Sequence, residues 1–282
     1  MYRAFIFYCS PAGTTRHVAE VIEKTLADFD RQTTVCELGK NKEKLAEVIR
    51  EIKDSDQKIC LFIGSPVYSS HALPLIMDLI NSLPEKDQAY AVPFVTWGAA
   101  TSGIALSEMG ASLMQQGYKL IGAARVVAVH SLMWEVENPA GKGHPDYEDD
   151  DLIKNLVSNI ENNLQKPNPK LLPEQILSYQ SAAVTAEMKQ QNIELARKFL
   201  PPRKVNRDLC NQCGICADKC PVAALTLTPY PTYAEHCILC FNCMRWCPEN
   251  AIEADLSPAH DMVQLRYEKY KESPLSKIFL PT

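Results

Sequence analysis

No stretch of this 282-residue chain approaches the ~18 consecutive apolar residues that a membrane-crossing helix needs, which argues against a helical membrane span. The opening Met1-Tyr2-Arg3 leads into no apolar core with a small-residue cleavage site, so export and a disulfide framework are not expected. Positive charge is in deficit: 29 Lys and Arg against 34 Asp and Glu give a net charge of −5, which argues against a nucleic-acid partner. No G-x-G-x-x-G follows any stretch that reads as a strand, and direct oxidation of a nicotinamide dinucleotide is disfavoured. What remains is 46% hydrophobic and 22% charged, the balance of an ordinary globular protein with room for two domains.

Against these absences stands cysteine. Eight of eleven fall in two runs, Cys210-Asn-Gln-Cys213-Gly-Ile-Cys216-Ala-Asp-Lys-Cys220-Pro221 and Cys237-Ile-Leu-Cys240-Phe-Asn-Cys243-Met-Arg-Trp-Cys247-Pro248. Both follow C-x2-C-x2-C-x3-C-P, the spacing in which three thiolates wrap one [4Fe–4S] cubane and the fourth reaches a second. That pattern assigns Cys210, Cys213, Cys216 and Cys247 to one cluster, and Cys237, Cys240, Cys243 and Cys220 to the other. Zinc would need only one tetrahedral set, and two proline-ended runs exceed it. An offset of 27 residues also superimposes Cys220-Pro-Val-Ala-Ala-Leu225 on Cys247-Pro-Glu-Asn-Ala-Ile252, so the segment is an internal repeat. At about fifty residues such a segment buries little apolar surface, and metal ligation is expected to supply much of its stability. Residues 204–256 resemble the bacterial-type two-cluster ferredoxins. Cys9, Cys36 and Cys60 sit in apolar strand contexts and read as core residues, and the cysteine usage points to a reducing compartment, the cytoplasm.

The first half alternates short apolar runs with helix-periodic stretches. Strands are expected at residues 4–9, 33–37, 58–64, 91–96 and 123–129, and helices at 15–28, 41–52, 74–82, 103–116 and 148–164. Pro74 suits the first position of its helix. Apolar strands separated by helices imply an α/β fold, a five-stranded doubly wound parallel sheet covered on both faces.

Ligands of such sheets sit beyond the carboxyl ends of the strands. After the first strand, Ser10-Pro11-Ala12-Gly13-Thr14-Thr15-Arg16 offers backbone N–H groups and three hydroxyls at a helix N-terminus, which suits a phosphate as well as a plain helix cap. The third strand ends in Gly64-Ser65-Pro66-Val67-Tyr68 and the fourth in Thr96-Trp97-Gly98, followed by Ser102 and Gly103, each an aromatic beside flexible polar backbone. With these three loops, residues 1–165 resemble the flavodoxins, and most of the chain is similar to flavodoxin–ferredoxin fusion proteins. The resemblance implies FMN, its phosphate in the first loop and its ring between the other two. Ser10, Gly13, Thr14 and Thr15 match the family's phosphate pattern, whereas Ala12 stands where a hydroxyl is common, so one phosphate hydrogen bond is absent or made by backbone. Ser65, Pro66, Val67, Thr96, Gly98, Ser102 and Gly103 then fall near the ring, with Tyr68 and Trp97 as the expected stacking aromatics.

Residues 166–203 read as a helical linker. A proline-rich break precedes a single helix over 175–200, some 38 Å long at ~1.5 Å per residue and long enough to carry the cysteine-rich segment across the first domain or onto a second copy of the chain in a homo-oligomer. Residues 257–282 form a tail expected to pack back. The expected function is electron transfer: single electrons relayed between two [4Fe–4S] clusters and FMN, to or from redox partner proteins. The alternative is a reductase in which the clusters feed FMN and a small substrate is reduced over the ring.

Overall fold

In the computed structural model, residues 2–39, 42–86 and 89–282 are described. The first part runs β1 (Tyr2–Tyr8), α1 (Thr14–Asp28), β2 (Thr33–Glu37), α2 (Lys42–Asp54), β3 (Lys58–Tyr68), β4 (His71–Ala72), α3 (Pro74–Ser82), β5 (Ala89–Trp97), α4 (Ala105–Gln115), β6 (Lys119–Leu120), β7 (Ala123–Val127) and α5 (Tyr147–Leu164). Asn41, the expected first residue of the second helix, lies outside the described residues, as does Met1. The long strands pair in parallel as β2-β1-β3-β5-β7. Counted along the chain this is 2-1-3-4-5, the flavodoxin-like order.

Strict alternation explains why these strands are apolar throughout. Phe5, Phe7, Leu61 and Ile63 face α2, α3 and α4, while Ala4, Ile6, Phe62 and Val92 face α1 and α5, so neither side meets water. A capping box fixes the start of α5. The Asp146 carboxylate accepts from the N–H groups of Glu148 and Asp149, and Asp149 accepts from the N–H of Asp146.

The expected single helix over 175–200 is not formed. A short 3₁₀ turn (Glu174–Leu177) is followed by α6 (Ala182–Lys189) and α7 (Ile193–Phe199). Local capping breaks the helix: Ser181 accepts from the N–H of Val184, and Asn192 from the N–H of Leu195, each starting a new segment. Leu172, Leu177 and Met188 are buried, so the connector folds back over its own sheet. Of the two courses its length allows, the connector takes the one across its own sheet.

The cysteine-rich segment repeats itself in detail. It comprises β8 (Lys204–Val205), α8 (Ile215–Asp218), β9 (Leu225–Leu227), β10 (Pro231–Tyr233), α9 (Asn242–Arg245) and β11 (Ile252–Glu253), with β9 paired to β10 and β8 to β11. The 27-residue offset carries α8 onto α9. It also carries the left-handed residues Gln212, Gly214 and Ala223 onto Leu239, Phe241 and Asn250, which are left-handed as well. Cys220 Sγ accepts from the N–H of Ala224 and Cys247 Sγ from that of Ala251, again 27 apart.

The tail packs back as expected and extends the sheet. After α10 (Ser257–Tyr270), β12 (Lys277–Phe279) pairs antiparallel with β7 as a sixth strand on that edge. A buried ion pair pins it. Glu272 meets Arg125, both almost fully buried, and its carboxylate also accepts from the Thr101 hydroxyl at 2.6 Å and the Ser102 N–H at 2.9 Å. Arg125 donates in turn to the Pro274 carbonyl at 2.8 Å.

Two substitutions test these joints. Gly39 has φ +115°, and a Cβ there would lie 1.8 Å from the Pro221 carbonyl oxygen. Gly39→Ala is therefore expected to cost at least about 1–3 kcal/mol and to loosen the cysteine-rich segment, seen as a lower Tm and faster proteolysis near Pro201-Pro202. Glu272→Ala strands the buried Arg125 charge and is expected to cost about 3–5 kcal/mol in urea unfolding; Glu272→Ala combined with Arg125→Leu recovers part of that loss.

Candidate functional site

The eight cysteines converge as two sets of four. Cys210, Cys213, Cys216 and Cys247 line one pocket, and Cys220, Cys237, Cys240 and Cys243 another. In each set three cysteines come from one run and the fourth from the other, the pairing that the spacing predicts. None forms a disulfide. Burial pushes the Cys216 thiol up to about 11 and raises Cys240 and Cys243, so thiolates there need a cation to balance them, as iron does. Both donor sets fit a cubane.

The sets differ in exposure. In the first, Cys213 is exposed and Cys210 and Cys247 partly so, beside the exposed Trp246 and Leu209. In the second all four are buried, and Cys240 and Ile238 belong to the apolar core of the flavodoxin-like part together with Leu38 and Leu73. Two backbone contacts hold this half down: Asn242 Nδ2 donates to the Pro11 carbonyl at 2.7 Å, and the Gly39 backbone lies against Pro221. Asn242 was not foreseen. A signal exists, since it is a polar spacer where the first run has Ile215.

Beyond the strand ends lies a cleft of about 360 Å³ with mainly apolar walls. Val67 and Tyr68 come from the end of β3, and Gly98 and His130 from the loops after β5 and β7; α7 and α10 close the far side; and Ile238 and Leu239 reach in from the second cysteine run. Ile238 lines both this cleft and the buried cysteine pocket. The Tyr68 hydroxyl is buried, with Ser131 beside it.

The first loop enters α1 through Gly13, at φ +91° with open space where a Cβ would lie. Ser10 Oγ accepts from the Arg16 N–H at 2.9 Å, leaving its proton to donate. The N–H groups of Gly13, Thr14 and Thr15 make no hydrogen bond among the described residues. Thr14 is partly exposed, as is Ala12, while Thr15 is buried and its hydroxyl meets that of Thr96 at 2.7 Å. Free N–H groups at a helix N-terminus and an apolar cleft with a buried tyrosine in its wall fit a phosphate-bearing flavin.

Other expected ring neighbours lie elsewhere. Trp97 is a core residue, 1% exposed, packed on Val127 and Met133, its indole N–H donating to the Leu275 carbonyl at 3.2 Å. Ser102 is 0% exposed and bound to Glu272, Arg125 and Tyr179. Gly103, at φ +65°, lies against the Ser70 carbonyl, and Ser65 Oγ is held between Pro66 O and the Leu73 N–H. Pro66 is buried and pairs in register with Thr96. Sequence reasoning missed the polar residues of the cleft, His130, Gln191 and Arg266. Arg266 donates to Gln191 Oε1 at 2.5 Å and Ser70 Oγ at 2.8 Å.

Comparison with known proteins supports a 4Fe-4S site on the first cysteine run. Residues 203–226 match the Fer4 family, a 4Fe-4S binding domain. No curated protein matches the chain. Among solved structures it is similar to rubredoxin oxygen:oxidoreductase from the anaerobe Desulfovibrio gigas (18% identity, 58% of this chain, 36% of that chain, TM-score 0.46). It is also similar to a flavodoxin from the domain Archaea (20%, 59% of this chain, 100% of that chain, 0.43) and to a mutant of the flavo di-iron protein from Thermotoga maritima (14%, 57% of this chain, 35% of that chain, 0.42). The chain thus spans about a third of the Desulfovibrio protein. The flavodoxin-like assignment rests on strand order and register, not on these likenesses.

Two histidines give the site a pH signature. Glu108 Oε2 lies 2.9 Å from His71 Nδ1 and raises the His71 pKa, so its stabilisation is complete below the ordinary value near 6.5 and is lost as pH rises through the raised one. Burial, with His260 and Arg266 nearby, pushes His130 down to about 4. An NMR pH series on the anaerobic protein is expected to find His130 neutral at pH ~5.5 and His71 titrating above the ordinary histidine value.

Proposed function

We propose that this chain, a flavodoxin-like fold carrying a 4Fe-4S binding domain, is an electron-transfer protein that relays single electrons between two [4Fe–4S] clusters and FMN. FMN takes up two electrons one at a time, and each cluster passes one. Cys210, Cys213, Cys216 and Cys247 hold the outer cluster, where a redox partner protein can approach. Cys220, Cys237, Cys240 and Cys243 hold the inner cluster. Ser10 and the N–H groups of Gly13, Thr14 and Thr15 bind the phosphate, and Tyr68, Val67 and Gly98 form the ring wall.

One observation carries this reading: Ile238 lines both the buried cysteine pocket and the cleft, so the two are neighbours. The chain's own residues fix that spacing, through Asn242 on the Pro11 carbonyl and the core packing of Ile238, and they exclude water from between the centres. No proton need move along this part of the path.

The reductase reading keeps one supporting observation. The cleft extends past the strand ends onto α7 and α10, where Arg266 and Gln191 give an otherwise apolar chamber a polar rim. Saturable turnover of a small acceptor, lost in Tyr68→Ala, would favour it.

Anaerobically reconstituted wild-type protein is expected to hold about eight iron atoms and one FMN. Cys213→Ala is expected to retain about four irons and the flavin, and Cys240→Ala to retain FMN while slowing its reduction by a protein donor at least tenfold in stopped-flow. Wild-type flavin reduction in Cys240→Ala, or loss of FMN in Cys213→Ala, overturns the assignment.

A further inference from the structure

The two cysteine pockets are related by the 27-residue repeat, yet their linings are not alike. The outer pocket is lined by no cation among the described residues. The inner pocket contains Arg203. Its Nη1 and Nη2 both donate to Cys237 Sγ at 3.4 Å, and Nη1 also donates to Cys243 Sγ at 3.7 Å. The guanidinium is held flat by aromatic neighbours, 3.8 Å from the Tyr233 ring centroid and 5.2 Å from that of Phe241. The Tyr233 hydroxyl is buried in the same pocket and faces the Cys243 thiol.

The repeat gives these residues no equivalents. Offset by 27, Arg203 corresponds to Tyr230, Tyr233 to Asn206 and Phe241 to Gly214. Tyr230 and Asn206 do not line the outer pocket, and Gly214 brings no side chain. The asymmetry is therefore confined to side chains around one set of thiolates on an otherwise duplicated backbone.

Its consequence is electrostatic. A cluster held by four thiolates is anionic, and reduction adds a further negative charge. A fixed guanidinium donating to two of its sulfurs favours the reduced form, and burial strengthens that attraction even as it disfavours the added charge. Cys213, by contrast, is open to solvent, whose hydrogen bonds are neutral and mobile. Charge-assisted bonds are roughly twice as strong and here are fixed in place.

We propose that Arg203, supported by Tyr233, makes the inner cluster the higher-potential of the two, so that an electron arriving at the outer cluster settles beside the cleft. The inference rests on the two-cluster reading. In the step one electron leaves the reduced outer cluster and enters the oxidised inner one; Arg203 keeps its proton throughout. The first electron comes from a low-potential one-electron donor.

The test is EPR-monitored potentiometry of the full chain, loaded anaerobically and reduced with dithionite after iron and sulfide have been counted. Cys213→Ala, which keeps only the inner cluster, identifies that cluster's signal. Arg203→Gln is expected to weaken reduction of the inner cluster at least tenfold, a fall of about 59 mV for one electron, with the outer cluster unmoved. Arg203→Lys, which keeps the charge but not the fork, falls in between, and Tyr233→Phe produces a smaller fall. Unchanged midpoints in fully loaded Arg203→Gln, or a shift of the outer cluster alone, overturn the proposal. Should Arg203→Gln not load the inner site, unchanged midpoints in both Arg203→Lys and Tyr233→Phe overturn it equally. About four irons in the wild type would instead sink the two-cluster reading, and this inference with it.

Discussion

The packing of Ile238 and Cys240 into the apolar core of the sheet is the constraint on which the rest of the molecule depends. Electron exchange between separate centres falls steeply with distance, so a cysteine-rich segment tethered loosely to a flavodoxin-like sheet would gain little from sharing a chain with it. Here Ile238 and Cys240 are part of the sheet's own apolar core, and the segment cannot leave without opening that core. The Asn242 bond to the first loop's Pro11 carbonyl adds direction to this packing, since a buried amide finds its partner in only one register.

This docking also answers an energetic problem. About fifty residues with four two- or three-residue strands and two four-residue helices bury little apolar surface of their own. Metal–thiolate bonding supplies part of what is missing, and the flavodoxin-like core supplies another part. The connector and the tail work to the same end. Leu172, Leu177 and Met188 pack the former onto the sheet, and the Glu272–Arg125 pair draws the latter across it, so α7 and α10 become walls of the cleft.

Much of this was legible because the responsible physics is local. Apolar runs of strand length fixed the parallel sheet, Pro74 marked the start of α3, and the cysteine spacing paired each run's fourth thiol with the other run's first three. The connector was misread because helical periodicity does not weigh the caps at Ser181 and Asn192. Trp97 was misread for a different reason. Side chains alternate along a strand, so Thr96 turns toward Thr15 of the first loop and Trp97 toward the opposite face, where Leu275 covers it. Nothing local announces that a tail some 175 residues later will lie there. Arg125, Glu272, Arg266 and His130 were illegible on the same ground, each drawing its meaning from partners distant in the chain.

A duplicated segment with a near-exact twofold could in principle seat either half against the sheet, giving two wirings of opposite polarity. The paired left-handed residues and matching N–H···S bonds show how closely the backbones of the halves agree, so backbone shape alone hardly tells them apart. Asn242, where the first half has Ile215, and the bare Gly39 backbone that receives Pro221 act as a key and its slot. The molecule thus behaves as a polarised plug, whose orientation is decided by steric fit at assembly, before any electron arrives.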